Sequence, residues 1–195
     1  MTPIRPTITK EEINDMPKVE FAGTIHVINT PEEAENAVAK LLAQPMVGID
    51  TETRPTFKRG EMHQVALLQV ATDNESFLFR LNKTGLTRPI IGLLESKTTQ
   101  KIGLSLKDDF LLLHKRASFE PRNYTELQAF VREFGIEEMS LQKIYAILFE
   151  KKIAKRQQLS NWEAEALTEA QQQYASIDAW ACLQIYHKLI AMQEK

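Results

Sequence analysis

The chain has 195 residues, 43% of them hydrophobic and 26% charged, which is enough to bury one core and too little for two full-sized domains. A formal net charge of -2 and a pI near 6.1 exclude the globally basic footprint of many DNA-binding proteins, so contact with nucleic acid would need a local patch. A lone cysteine, Cys182, excludes an internal disulfide and a cysteine-rich zinc site and fits a reducing compartment.

From the N-terminus, residues 1–23 carry three prolines and read as an extended or loosely docked arm ahead of a domain spanning 24–195. No apolar leader core opens the chain and no run approaches the roughly 18 apolar residues of a membrane span, so a cytoplasmic protein without membrane contact is expected. "TIHVIN" (24–29) and "MVGID" (46–50) have strand length and β-branched content. Between them, Thr30 as N-cap, Pro31 at the first helical position and Glu33 three residues after the cap predict a capped helix ending before Pro45. "VALLQVAT" (65–72) and "SFLFRL" (76–81) flank Asp73-Asn74 and predict an antiparallel hairpin, and "QKIGL" (100–104) makes a fifth strand. Helical patterns cover 86–96, 106–116, 125–135, 140–149 and 168–193. Strands crowd the first half and helices the second, which predicts one layered α/β domain with a mixed sheet flanked by helices.

The strand "MVGID" runs into Thr51 and Glu52. Side chains alternate along a strand, so Asp50 and Glu52 point one way and Thr51 the other. Two solvated acids at a strand end would need no explanation. The last helix weighs against that: Thr168 and Gln171 form a capping-box pattern that sets its phase, and about 100° per residue then puts Tyr174, Asp178, Ala181, Ile185 and Met192 on one arc. A carboxylate on an apolar face is costly unless a cation or donors accompany it, and the residue one turn back is a tyrosine, not Lys or Arg.

"GIDTETRPTFKRGEMHQVALLQVAT", "KIGLSLKDDFLLL" and "QLSNWEAEALTEAQQQYASIDAWACLQIY" resemble, in order and spacing, the three motifs of the DEDD-type 3'-5' exonucleases. The branch they look most like is that of ribonuclease D and the Werner-syndrome helicase exonuclease domain. Asp50-x-Glu52 matches the first motif, an aspartate of "LKDD" the second, and Tyr174-x3-Asp178 the third, in the tyrosine subtype; the match spans roughly 24–190. The resemblance implies a ribonuclease-H-like mixed sheet of about five to six strands and a two-metal 3'-5' exonuclease acting on a DNA or RNA 3' end. Such a site would use two Mg²⁺ or Mn²⁺ ions, roughly 3.5–4 Å apart, to stabilise the attacking and leaving oxygens of an in-line displacement. By the family pattern Asp50 would bridge both ions, Glu52 and Asp178 would complete the site of the nucleophilic water, the second-motif aspartate would support the second ion, and Tyr174 would orient that water.

Two arguments choose Asp109 over Asp108 for the second motif. With Ser105 as N-cap, Asp108 falls at the third helical position and approximates a capping box, while Asp109 lies inside the arc of Phe110, Leu112 and Leu113. The family's spacing, with the acid six residues after the glycine matching Gly103, selects Asp109 as well.

Cations near these motifs, Arg54, Lys58, Arg59, Lys107, Lys151, Lys152, Lys155 and Arg156, could hold phosphates or simply be solvated. Phe57 could stack a base or cover the site, and Trp162 and Trp180 read as packing groups. The four histidines show no ligand spacing. A phosphodiesterase for small nucleotides and a catalytically silent nucleic-acid- or protein-binding scaffold stand as alternatives, the latter opposed by the intact carboxylates.

Overall fold

In the computed structural model of the chain, residues 4–58 and 60–193 are described. Alternation of apolar segments builds a six-stranded sheet of β1 (Thr24–Ile28), β2 (Met46–Thr53), β3 (Val65–Ala71), β4 (Glu75–Arg80), β5 (Gln100–Gly103) and β6 (Tyr124–Glu126), in the order β1-β4-β3-β2-β5-β6. β3 runs antiparallel to its neighbours β2 and β4, and the other pairs are parallel, so the sheet is mixed as expected. The hairpin between β3 and β4 is closed by a threonine turn: Thr72 Oγ1 accepts from Glu75 N at 3.0 Å.

Helices cover both faces. On one side α2 (Pro31–Leu42), α4 (Arg88–Glu95) and α5 (Leu106–Leu113) bury Leu41, Leu93 and Phe110 against Val47, Ile49 and Phe79. α2 starts as predicted, with Thr30 and Glu33 capping each other's backbone and Pro31 in the first turn. On the other side α7 (Leu141–Phe149) and the long α8 (Glu169–Gln193) pack across the sheet, with α8 capped by Gln171 N donating to Thr168 Oγ1 at 3.2 Å. Among the described residues no helix is long and apolar enough to cross a membrane.

One close approach decides where α8 sits. A Cβ on Gly48 would lie 1.9 Å from the Ala179 carbonyl oxygen, so only glycine lets this helix rest directly on β2. Asp178 precedes Ala179, and the contact therefore sets the distance between the two acidic elements. Gly48→Ala should lower stability by about 3 kcal/mol, the upper end for overpacking, and so reduce Tm by roughly 6–12 °C in a domain of this size. The turnover that the resemblance implies should fall with it, because Asp178 moves with the helix; thermal melts and rate measurements on the same preparation check both.

Three stretches depart from the sequence-based expectation. Residues 125–135, expected as one helix, divide into β6, a four-residue helix α6 (Leu127–Phe130) and a 3₁₀ turn (Val131–Phe134). The N-terminal residues, expected as an extended or loosely docked arm, are over 4–23 firmly packed and contain a helix, α1 (Lys10–Asn14), with a Thr9–Glu12 capping box. Ile8 and Phe21 are each only 3% exposed. Val19 N donates to Lys152 O at 3.0 Å, Lys152 N to Pro17 O at 2.9 Å, and Phe21 exchanges two hydrogen bonds with the Gln173 side chain. A short helix α3 (Leu81–Thr84) was also not anticipated.

Candidate active site

β2 carries the first two acids. Its ladder pairs Asp50 with Gln69 and Glu52 with Leu67 on β3, two steps apart, so both side chains stand on the face covered by α8. Along its other edge β2 pairs with β5 only through Met46–Gly48. Beyond that point the edge is open, and the first turn of α5 occupies the gap. Thr51, facing away from its two acidic neighbours, meets this turn: its hydroxyl donates to Asp109 Oδ1 at 2.5 Å. The helix phase argued from sequence therefore holds, with Asp108 exposed and Asp109 half-buried against β2.

The expected capping box at Ser105 does not form. Ser105 has a left-handed backbone (φ 62°) and makes no side-chain cap. Glu126, at the end of β6, takes over: its carboxylate accepts from Ser105 N at 2.8 Å and Leu106 N at 2.7 Å. This anchors the start of the helix that carries Asp109 and relieves Asp108 of the structural job expected for it.

Asp178 is delivered by α8. Carboxylate oxygens of Asp50, Glu52 and Asp178 all lie within 4.8 Å of one another. With Thr51, Tyr174, Lys155 and Cys182 they line an open pocket of about 330 Å³, within the range of small-ligand sites. Asp109 stands outside the three-acid cluster but beside it, and among neighbouring charges it is the one that most raises Asp50. Behind Tyr174 lies Trp162, fully buried, with ring centroids 6.0 Å apart. The buried Arg80, absent from the sequence-based reading, pins the adjoining turn by donating to the carbonyls of Ala164 and Glu165.

The electrostatics follow from this crowding. Burial, and then the charges of Asp109, Asp178 and Glu52, push Asp50 well above the usual carboxylate range. Glu52 is pushed up to about 9 by burial and by Asp178 and Asp109. Burial raises Asp109 and Asp178 as well, partly offset by the hydroxyls of Thr51 and Tyr174 respectively. Burial and the neighbouring carboxylates also raise the Tyr174 hydroxyl, which stays protonated at neutral pH. Among the described residues no ion pair neutralises any of the four acids. Carboxylate oxygens that converge with no cation paired to them among the described residues fit a hard divalent ion.

The candidate phosphate ligands separate. Lys155 lines the acidic pocket, and Arg156 is exposed next to it. Arg54 is turned onto Glu163 at 3.3 Å, so its charge is already matched. Phe57 is 81% exposed near the end of β2, and Lys58 is exposed beside it. Lys107 is exposed on the far side of α5 with Asp108, Lys151 is exposed, and the Lys152 ammonium donates to the Asn14 carbonyl. Arg59 lies outside the described residues. Trp180 packs edge-on to Phe21, as expected of a packing group.

A mixed sheet whose second strand carries Asp-x-Glu, roofed by a helix carrying Tyr-x3-Asp, defines the ribonuclease-H-like α/β class with a carboxylate site. The chain belongs to the 3'-5' exonuclease family, a class of hydrolases, whose model matches residues 25–194. It is 28% identical over 186 residues to the mouse bifunctional 3'-5' exonuclease/ATP-dependent helicase WRN, covering 90% of this chain and 13% of that protein. It is 26% identical over 191 residues to an Arabidopsis thaliana 3'-5' exonuclease, covering 90% of this chain and 66% of that one. The fold is that of Escherichia coli RNase D, an exoribonuclease involved in structured RNA processing, with a TM-score of 0.78 at 21% identity over 88% of this chain and 45% of that one.

Proposed function

We propose that residues 24–195 form a two-metal 3'-5' exonuclease domain that hydrolyses the terminal phosphodiester bond of a DNA or RNA strand and releases nucleoside monophosphates. The observation that carries this is the convergence of Asp50, Glu52 and Asp178, with carboxylate oxygens within 4.8 Å of one another and no ion pair to any of them among the described residues, in a chain of the 3'-5' exonuclease family. Asp50, Glu52, Asp109 and Asp178 would hold two divalent ions, Mg²⁺ or Mn²⁺. When bound, these supply charge stabilisation at the attacking and leaving oxygens.

The chain's own groups do the rest. Asp50 feels the charges of Asp109, Asp178 and Glu52 alike, and its carboxylate would help to hold both ions. The Tyr174 hydroxyl, held protonated by its surroundings, can donate one hydrogen bond and accept another, which suits it to orient a water against Glu52 and Asp178 rather than to take a proton. Lys155, at the pocket wall, would balance the scissile phosphate.

Tyr174→Phe keeps the ring against Trp162 and removes only the hydroxyl. It should lower kcat roughly 10²-fold while KM, metal affinity and Tm stay near wild type. Unchanged turnover would reduce the residue to a core aromatic. The proposal as a whole is tested by release of mononucleotides from a 3'-labelled oligonucleotide with Mg²⁺ or Mn²⁺ and in chelator. Single-stranded DNA, duplex DNA and RNA tested in parallel would show which sugar and strand state are preferred. Absence of metal-dependent release from all of them would refute the exonuclease reading.

A further inference from the structure

Next to the acidic pocket, and sharing Ser140, Gln142 and Lys155 with it, lies a groove of about 580 Å³. Its walls carry Lys10, Lys18, Lys143, Lys152, Lys155 and Arg156, and among the described residues no carboxylate lines it. Two of the cations are engaged: Lys143 pairs with Glu138 at 2.9 Å, and the Lys152 ammonium donates to the Asn14 carbonyl. Among the described residues the ion pairs include none of Lys10, Lys18, Lys155 or Arg156. The nearby Glu12 is turned onto Arg5 at 2.8 Å. In a chain of net charge -2, six cations around one groove form a local concentration that the overall balance does not produce.

A third of this wall, Lys10 and Lys18 among its cations, comes from residues that the family match, starting at 25, does not reach. Lys10 sits on α1, and Lys18 forms a parallel bridge with Lys152, closed by the hydrogen bonds Val19 N to Lys152 O and Lys152 N to Pro17 O. Ile8 N donates to Glu138 Oε1 at 3.1 Å and Glu137 N to Pro6 O at 2.9 Å, fixing the other end of the segment. The backbone carrying these cations is therefore positioned before any ligand arrives, which limits the entropy that binding must overcome.

We propose that residues 4–23 complete a second binding site, a basic groove that holds the sugar-phosphate backbone of a single nucleic-acid strand whose 3' end enters the acidic pocket. The proposal rests on the reading of that pocket as an exonuclease site. It makes the N-terminal segment a source of grip in a fold whose acidic site by itself repels phosphate. A backbone-holding groove contributes affinity through phosphate neutralisation and so carries a steep salt dependence without sequence preference.

The test is binding of a fluorescent single strand of about 12 nucleotides to the full chain in chelator, followed by anisotropy across a salt series. Lys10→Ala/Lys18→Ala should raise Kd roughly tenfold and flatten the slope of log K against log salt by about 1.4, at about 0.7 per phosphate contact on a single strand. Lys10→Arg/Lys18→Arg should bind like wild type, which separates charge from folding. Lys40→Ala/Lys97→Ala, the same charge change at exposed positions away from the groove, should bind like wild type. Equal weakening by the two alanine pairs, no weakening by either, or no measurable binding by wild type would overturn the proposal. So would equal competition by an oligo-glutamate of the same charge, which would point to an acidic protein segment. Binding is read without metal, so a chain that binds through the groove but releases no mononucleotide counts against the exonuclease reading alone. Normal turnover with binding unaffected by Lys10→Ala/Lys18→Ala counts against the groove alone.

Discussion

Asp50→Ala should reduce metal-dependent nucleotide release by at least roughly 10⁴-fold, to the background of the assay, while the protein remains folded. Asp50 is the acid that Asp109, Asp178 and Glu52 all act upon, so removing it takes away the carboxylate on which the proposed two-ion site centres. The same crowding predicts the sign of the stability change. In the metal-free protein Asp50 is held well above the usual carboxylate range, meaning its ionised form is disfavoured there relative to the unfolded chain, and alanine removes that cost. The variant should therefore melt no lower than metal-free wild type, and its far-UV spectrum should match. Added Mg²⁺ or Mn²⁺ should raise the wild-type Tm, since a ligand at about 100 times its Kd stabilises by about 2.7 kcal/mol, and should raise the Tm of the variant much less. Substantial metal-dependent turnover by Asp50→Ala would remove this residue from the centre of the site.

The parts of this site that could be read from sequence were those governed by local periodicity. Asp50 and Glu52 share a face because a strand repeats every two residues whatever packs on it. Asp178 could be placed on a buried arc because Thr168 and Gln171 cap α8 and set its phase, and the cap is present. What escaped was set by partners distant in the chain. Glu126 caps α5 from about 20 residues away, at the end of a three-residue strand that exists only because Lys101, Ile102 and Gly103 pair with it. Its own stretch has helical periodicity, so nothing local marks it as strand. Ser105 looked like the cap by residue type, but its positive φ takes its side chain out of capping geometry. The N-terminal segment was misjudged for a similar reason: its prolines signal an extended chain, while the residues that dock it, Glu138, Lys152 and Gln173, lie more than 100 positions away. Thr51 carried a readable signal, since alternation already turned it away from Asp50; that it would meet Asp109 depended on β5 ending at Gly103 and leaving the β2 edge open.

The adjacent acids of α5 give the sharpest separation of position from composition. Asp109→Asn should cut turnover by roughly 10³-fold, equivalent to about 4 kcal/mol of transition-state stabilisation, whereas Asp108→Asn should retain most activity. The two substitutions make the same chemical change one residue apart, so general effects of charge on the fold or on nucleic-acid approach cannot account for a difference between them. Geometry can. Asp109 is oriented by the Thr51 hydroxyl toward the open edge of β2, beside Asp50, whereas Asp108 is exposed with Lys107 on the outer side of the helix. Asp108 could have mattered to stability as a capping residue, but Glu126 holds the backbone amides of Ser105 and Leu106. What remains for Asp108 is its favourable place in the first turn of a helix, so the cost of Asp108→Asn is at most about 1 kcal/mol, readable as a small shift in Tm. Steady-state rates for both variants over a range of Mg²⁺ or Mn²⁺ concentrations make the comparison complete. Asp109→Asn should lose kcat and need more metal for what activity is left, and Asp108→Asn should follow the wild-type metal curve. If Asp108→Asn were inactive and Asp109→Asn active, the phase of α5 in solution would have to be one residue away from that described, and Thr51 would have to face a different partner.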